Sequence, residues 1–254
     1  MNIYKKIKKK GQIFLINNNY VNKIINTINN NNKKDIIIEI GPGKGILTKH
    51  LRLLTNSFFC IETDKKLVKY LKNNILSYKD KIINLSILNY KLNFNKKVII
   101  VGNIPYYITQ KILYWILKYY KKILFFVLLL QKEVAYNILL KNKKITKLSI
   151  ILQIFFHIKF FFNIKNTNFR PIPKVHSTLL KFIPKKNTKI NIKKFIFFIK
   201  KIFKKKRKKI YNSLNLIKFK KYKIFNKRIE ELSLKKIILL YKFLLKKKCL
   251  NQDM

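Results

Sequence analysis

The sequence predicts an α/β protein: a parallel sheet with helices on both faces over residues 1–184, followed by a small all-helical domain over residues 185–254. Three observations predict it. Short β-branched or aromatic runs alternate with longer segments of helical spacing through the first two thirds of the chain, the signature of a sheet covered on both faces. Three of only five glycines, Gly41, Gly43 and Gly45, fall directly after the first such run. Beyond Pro184 there is no further glycine or proline, only Lys-rich text with apolar residues at helical spacing.

The runs expected to be strands are Ile36–Ile40, Phe58–Ile61, Ile82–Ile87, Val98–Val101 and Ile123–Leu130. Between the second and third, Leu67, Tyr70, Leu71 and Ile75 recur at the period of a helix that Asp64 can cap. In the C-terminal part, Phe195, Phe198, Ile199, Ile202 and Phe203 share one helical face. The lysine runs Lys8–Lys10 and Lys204–Lys209 read as solvated.

Composition narrows the partners. The chain carries 59 Lys+Arg against 9 Asp+Glu, a net charge of +50, yet 48% of its residues are hydrophobic and 14% aromatic. That much apolar side chain builds a core, and the charge attracts polyanions, nucleic acid first among them. Cys60 and Cys249 are too few for a disulfide framework or a structural zinc site, so a reducing cytoplasm and no metal are expected. No apolar run is long enough for a membrane span, and no membrane partner is expected.

The chemistry concentrates at strand ends. In IIIEIGPGKGIL the glycines let the chain turn tightly off the first strand and bring backbone amides close to a ligand at the start of the next helix. Glu62, about twenty residues on, ends the second strand, where a carboxylate accepts both ribose hydroxyls of an adenosine ligand. Glu39 either braces the glycine amides or faces a cationic ligand. The spacing G-x-G-x-G preceded by an acid suits S-adenosylmethionine, whose ammonium and sulfonium welcome a carboxylate, better than a dinucleotide pyrophosphate. At the end of the fourth strand, Gly102-Asn103-Ile104-Pro105-Tyr106 offers the Asn103 side-chain oxygen and the Ile104 carbonyl, stiffened by Pro105, as two acceptors for an exocyclic amine. Tyr106 can stack on the base. The plain alternative is an Asn-Pro turn that merely ends the strand.

These motifs carry a resemblance. GQIFL (11–15), EIGPGKGILT (39–48), IETD (61–64), GNIPYYIT (102–109), LLLQKEV (128–134) and FRPIPKVHS (169–177) are similar, in order and spacing, to those of the rRNA adenine N6,N6-dimethyltransferases. Within that family the chain most resembles the KsgA-type small-subunit enzymes, since FKKKRKKIYNSL (203–214) and RIEELSLKK (228–236) resemble their helical C-terminal domain. The resemblance implies a Rossmann-like, S-adenosylmethionine-dependent methyltransferase sheet and dimethylation of adenines in small-subunit rRNA during ribosome assembly. It assigns cofactor contacts to Ile13, Leu15, Gly41, Gly43, Glu62, Asn89 and Asn103. Asn103 and the Ile104 carbonyl would hold the target amine, with Pro105 stiffening the turn. Tyr106 and Phe169 would stack on the base's two faces, Pro171 and Pro173 fixing the loop that delivers Phe169. Arg207, Lys208 and Lys209 would grip rRNA phosphates.

The family usually has Asn at Ile13, Asp at Asn89 and Leu at Ile104, which leaves the adenine-binding slot neutral here. The implied partners are small-subunit rRNA and the immature small subunit, bound by a cytoplasmic monomer. Two other readings stay open: an assembly checkpoint factor with weak or no catalysis, and a large-subunit rRNA adenine methyltransferase.

Overall fold

The computed structural model describes residues 12–28, 33–141, 145–186, 190–247 and 249; the run Lys8–Lys10 lies outside them. The elements before the sheet are β1 (Phe14–Leu15) and α1 (Asn18–Ile28). The sheet strands are β2 (Ile36–Ile40), β3 (Ser57–Glu62), β4 (Lys81–Asn84), β5 (Val98–Asn103), β6 (Ile123–Gln131), β7 (Phe156–Ile164) and β9 (Ser177–Pro184), while β8 (Phe169–Arg170) stands apart. The intervening helices are α2 (Thr48–Leu51), α3 (Lys65–Asn74), α4 (Thr109–Lys118), α5 (Lys132–Ile138) and α6 (Lys147–Phe155). After them come α7 (Ile192–Lys204), α8 (Ile210–Ser213) and α9 (Leu234–Lys246).

The seven-stranded sheet has the order β4–β3–β2–β5–β6–β9–β7. Strands β4, β3, β2, β5 and β6 run parallel; β9 pairs antiparallel with β6, and β7 pairs antiparallel with β9, so that β7 runs in the direction of β6 again. The central strands are continuous apolar runs because helices cover both faces: Val98–Gly102 of β5 is buried throughout. Strand order reverses between β2 and β5, so the carboxyl ends of both open onto one crevice, the position where such sheets bind ligands. β8 instead pairs antiparallel with β1, Leu15 opposite Phe169 and Phe14 opposite Arg170.

Two expectations need adjusting. The third strand stops at Asn84, short of Ile87, because Ser86 caps a 3-10 turn over Ile87–Asn89: its Oγ accepts from the Leu88 amide at 3.3 Å. The chain also divides differently from 1–184 and 185–254: residues 137–155 group with 185–254, leaving 1–136 and 156–184 as the other unit. That helical unit closes over its own aromatic core. Phe155 and Tyr241 meet Phe195 edge-on, with centroids 6.1 and 5.1 Å away. The expected face of α7, Phe195 through Phe203, is buried. Residues 204–209 are exposed, as solvated lysines should be. Cys60 and Cys249 are free thiols, and no described helix is long and apolar enough to cross a membrane.

Candidate active site

A cavity of about 650 Å³ opens at the carboxyl ends of β2, β3 and β5, lined by the glycine loop, Glu39, Glu62, residues 85–88, residues 103–108 and the β1 arm. Its floor follows from backbone conformations that favour glycine. Gly41 takes φ +65°, and an added Cβ would meet nothing within 4 Å, so the backbone lies bare against open space. Gly43 takes φ +59°, and a Cβ there would stand 2.7 Å from the Phe14 ring, so β1 packs directly on the loop.

Glu62, rather than Glu39, braces the loop: its Oε2 accepts from the Gly43 amide at 3.4 Å, and its Oε1 accepts from the amides of Thr63 and Asp64 at 2.8 and 2.9 Å. Those bonds hold a buried carboxylate at the cavity wall in one orientation. Asp64 caps α3 through a 3.0 Å bond from the Lys66 amide. Glu39 is 2% exposed and accepts one bond, from the Thr48 hydroxyl at 2.7 Å. Burial pushes its carboxyl up to about 8, the Thr48 bond opposing and the nearby Glu62 charge adding to the rise. A buried carboxyl so placed gains from a cationic ligand.

At the end of β5, Asn103 Nδ2 donates to the Ile13 carbonyl at 3.0 Å, and its Oδ1 accepts from no described residue. Ile104, Pro105 and Tyr106 follow along the cavity wall. The Tyr106 hydroxyl is 2.7 Å from Ser177 Oγ, which pins the ring from its far end. Burial raises that phenol above its usual range, so it stays neutral. Ile13, Leu15, Gly41, Gly43 and Glu62 share the same cavity.

Two candidates stand elsewhere. Asn89 is exposed and does not line the cavity; Ser86, at the end of β4, does. Phe169 is 0% exposed, packed in the core with Leu15, Ile164 and Leu179, and also does not line the cavity. Its strand position turns the ring inward and brings its neighbours Arg170 and Pro171 to the cavity wall. Besides Ser86 and Arg170, the residue-level reading missed Phe14 and Tyr107, the latter 71% exposed. Ser86 carried a signal, a capping residue just past a strand. Arg170 carried none apart from its place in the Pro-rich loop.

A glycine-floored crevice at the strand-order reversal, a braced carboxylate one strand over and an amide acceptor at the end of β5 define a Rossmann-like methyltransferase. Comparison with known proteins narrows the class. The model of the family described as ribosomal RNA adenine dimethylase matches residues 3–245, and the chain belongs to that family. A ribosomal RNA small subunit methyltransferase A from Mycoplasmopsis pulmonis is 35% identical over 180 residues, 70% of this chain and 71% of the relative. One of the same description from Wigglesworthia glossinidia brevipalpis is 37% identical over 192 residues, 72% of each chain. Among solved structures, a dimethyladenosine transferase from Plasmodium falciparum superposes with a TM-score of 0.80 at 22% identity, covering 92% of this chain and 98% of that one. The 23S rRNA methyltransferase ErmE gives 0.70 at 20% identity, covering 94% and 100%; at these identities the likeness is one of fold.

Proposed function

We propose that the chain dimethylates N6 of adenines in small-subunit rRNA, with S-adenosylmethionine as methyl donor, acting on immature small subunits. The observation that carries this is the Asn103 amide: its Nδ2 donates to the Ile13 carbonyl, which identifies the other amide atom, Oδ1, as an acceptor without a described partner on a residue that lines a cavity suited to an adenosyl ligand. Family membership and the two relatives above, both described as ribosomal RNA small subunit methyltransferase A, favour the small subunit over the large.

The cavity residues fit the donor. Glu62 would accept the ribose hydroxyls, the bare Gly41 backbone would admit the ligand closely, and Glu39 would answer its positive charge. Ser86 replaces Asn89 as the candidate beside the adenine. When bound, S-adenosylmethionine supplies an electrophilic methyl group. The chain's own part is to position the amine: Asn103 Oδ1 and the Ile104 carbonyl would accept its two N–H bonds, favouring a more tetrahedral, nucleophilic nitrogen. Tyr106 would stack on the extruded base. The displaced proton can leave to water after transfer, and the second methylation proceeds with one donor fewer on the substrate.

Single-turnover incorporation from labelled S-adenosylmethionine into immature small subunits, large subunits and naked rRNA tests the reading, with mass spectrometry of the product nucleoside. Dimethyladenosine on small subunits alone is expected. Label on large subunits instead, or binding to small subunits without incorporation, would overturn it.

A further inference from the structure

Arg170 is one of only four arginines in a chain whose positive charge is almost all lysine. It is exposed, it lines the cavity, and its guanidinium is already held. Nη1 donates to the carbonyl of Thr167 at 3.1 Å and to that of Phe169 at 3.0 Å. Both hydrogens of Nη1 are therefore spent on backbone, and no carboxylate among the described residues pairs with the group. What remains is the Nε–Nη2 edge, two parallel N–H groups in the geometry that matches two oxygens of one oxyanion. Most side-chain entropy that a free arginine would lose on binding is already lost in the folded protein. The register of β1 with β8 sets Arg170 opposite Phe14, whose ring packs on the glycine loop, so the fork stands at the wall that a nucleotide must pass.

We propose that Arg170 is an anchor for an RNA phosphodiester, gripping the backbone beside the adenine delivered to Asn103. The proposal rests on the function proposed above and names a binding contact for its substrate. Two sources could offer the oxyanion: an RNA phosphate or the carboxylate of the methyl donor. Exposure at the cavity's solvent side favours the phosphate, since the donor's other candidate partners along the cavity are buried (Leu15, Glu39, Gly43, Glu62) or half-buried (Ile13, Gly41, Ser86, Asn103). A lysine would keep the charge and lose both the fork and the two backbone bonds.

The test compares the full chain with Arg170→Lys and Arg170→Gln. Affinity for small subunits is read across a salt series, single-turnover methyl transfer is read on the same particles, and S-adenosylmethionine affinity is read by calorimetry. Arg170→Gln should weaken small-subunit binding about tenfold and flatten the salt slope by about one unit. Arg170→Lys should keep the slope and still lose transfer rate. Donor affinity should stay within about twofold for both. A purely structural role would leave the slope untouched, so an unchanged slope in Arg170→Gln overturns the proposal. Donor affinity falling in step would overturn it in favour of the carboxylate. If the wild-type chain binds small subunits but transfers no methyl, the proposed function fails, while the slope comparison still decides the phosphate contact.

Discussion

Asn103 Nδ2 donates to the carbonyl oxygen of Ile13 at 3.0 Å, joining residues 90 positions apart. The bond fixes which end of the amide faces the cavity. Asn103→Ala should therefore lower the transfer rate by about 10²-fold and leave donor affinity largely intact. Asn103→Asp should do no better, since a carboxylate facing the Ile13 carbonyl has no hydrogen to donate. Near-wild-type turnover in either variant would remove Asn103 from its assigned role.

The Glu39 carboxyl predicts a pH signature. Near pH 4 it is protonated folded and unfolded and costs nothing. As pH rises from about 4.5 the unfolded chain ionises while the folded one keeps its proton, so stability falls progressively to about pH 8. The full penalty is on the order of a few kcal/mol. Glu39→Gln, which can still accept from Thr48, should raise the melting temperature at pH 8 and match wild type near pH 4. Parallel melting curves across that range would contradict the assignment.

Ser86 and Asn89 can be separated by restoring charge. Ser86→Asp keeps a capping oxygen and places a carboxylate at the cavity, so it should tighten S-adenosylmethionine binding about fivefold by calorimetry. Asn89→Asp, on the exposed side of the turn, should leave it within about twofold of wild type. Tightening by Asn89→Asp alone would reverse the two positions.

Phe169 offers a test of core against contact. Phe169→Ala should cost about 3–5 kcal/mol, measured by denaturant unfolding. Phe169→Leu should cost about 1 kcal/mol and keep turnover per folded molecule within about threefold. A stable Phe169→Leu variant with its rate lost would return the ring to the base.

Charge imbalance supplies the fifth expectation. At +50, self-repulsion opposes the compact state, so added salt, and more strongly RNA, should raise the melting temperature. A thermal scan that is flat in both would count against it.

The central parallel strands β2 and β5 were legible because burial on both faces turns them into nearly unbroken runs of Ile and Val. The antiparallel pair β7 and β9 was not, since Phe156–Ile164 is buried only at its two ends, mixes half-buried with exposed positions between them, and continues an apolar stretch that begins as α6. Gly41, Glu62 and Asn103 were readable from spacing because strand ends in such sheets converge. Which acid braces the loop was not, because Glu39 and Glu62 lie on adjacent strands and only Glu62 reaches Gly43. The same limit applies at Phe169: a Pro-rich loop announces a special conformation without saying which face of its strand turns inward. The grouping of residues 137–155 with the C-terminal helices depends on packing such as Phe155 on Phe195, which no local pattern encodes.

The pairing of β1 with β8 also bears on the order in which the molecule can be completed. Synthesis delivers the arm first and its ladder partner only after two thirds of the chain has emerged, so Phe14 and Leu15 wait with unpaired backbone while the parallel strands assemble. A nascent chain halted before Phe169 would own the glycine loop, Glu62 and Asn103 but lack the strand that clamps the arm over them. Closure of the arm over the glycine loop thus belongs to the last third of synthesis, although every residue of that loop belongs to the first.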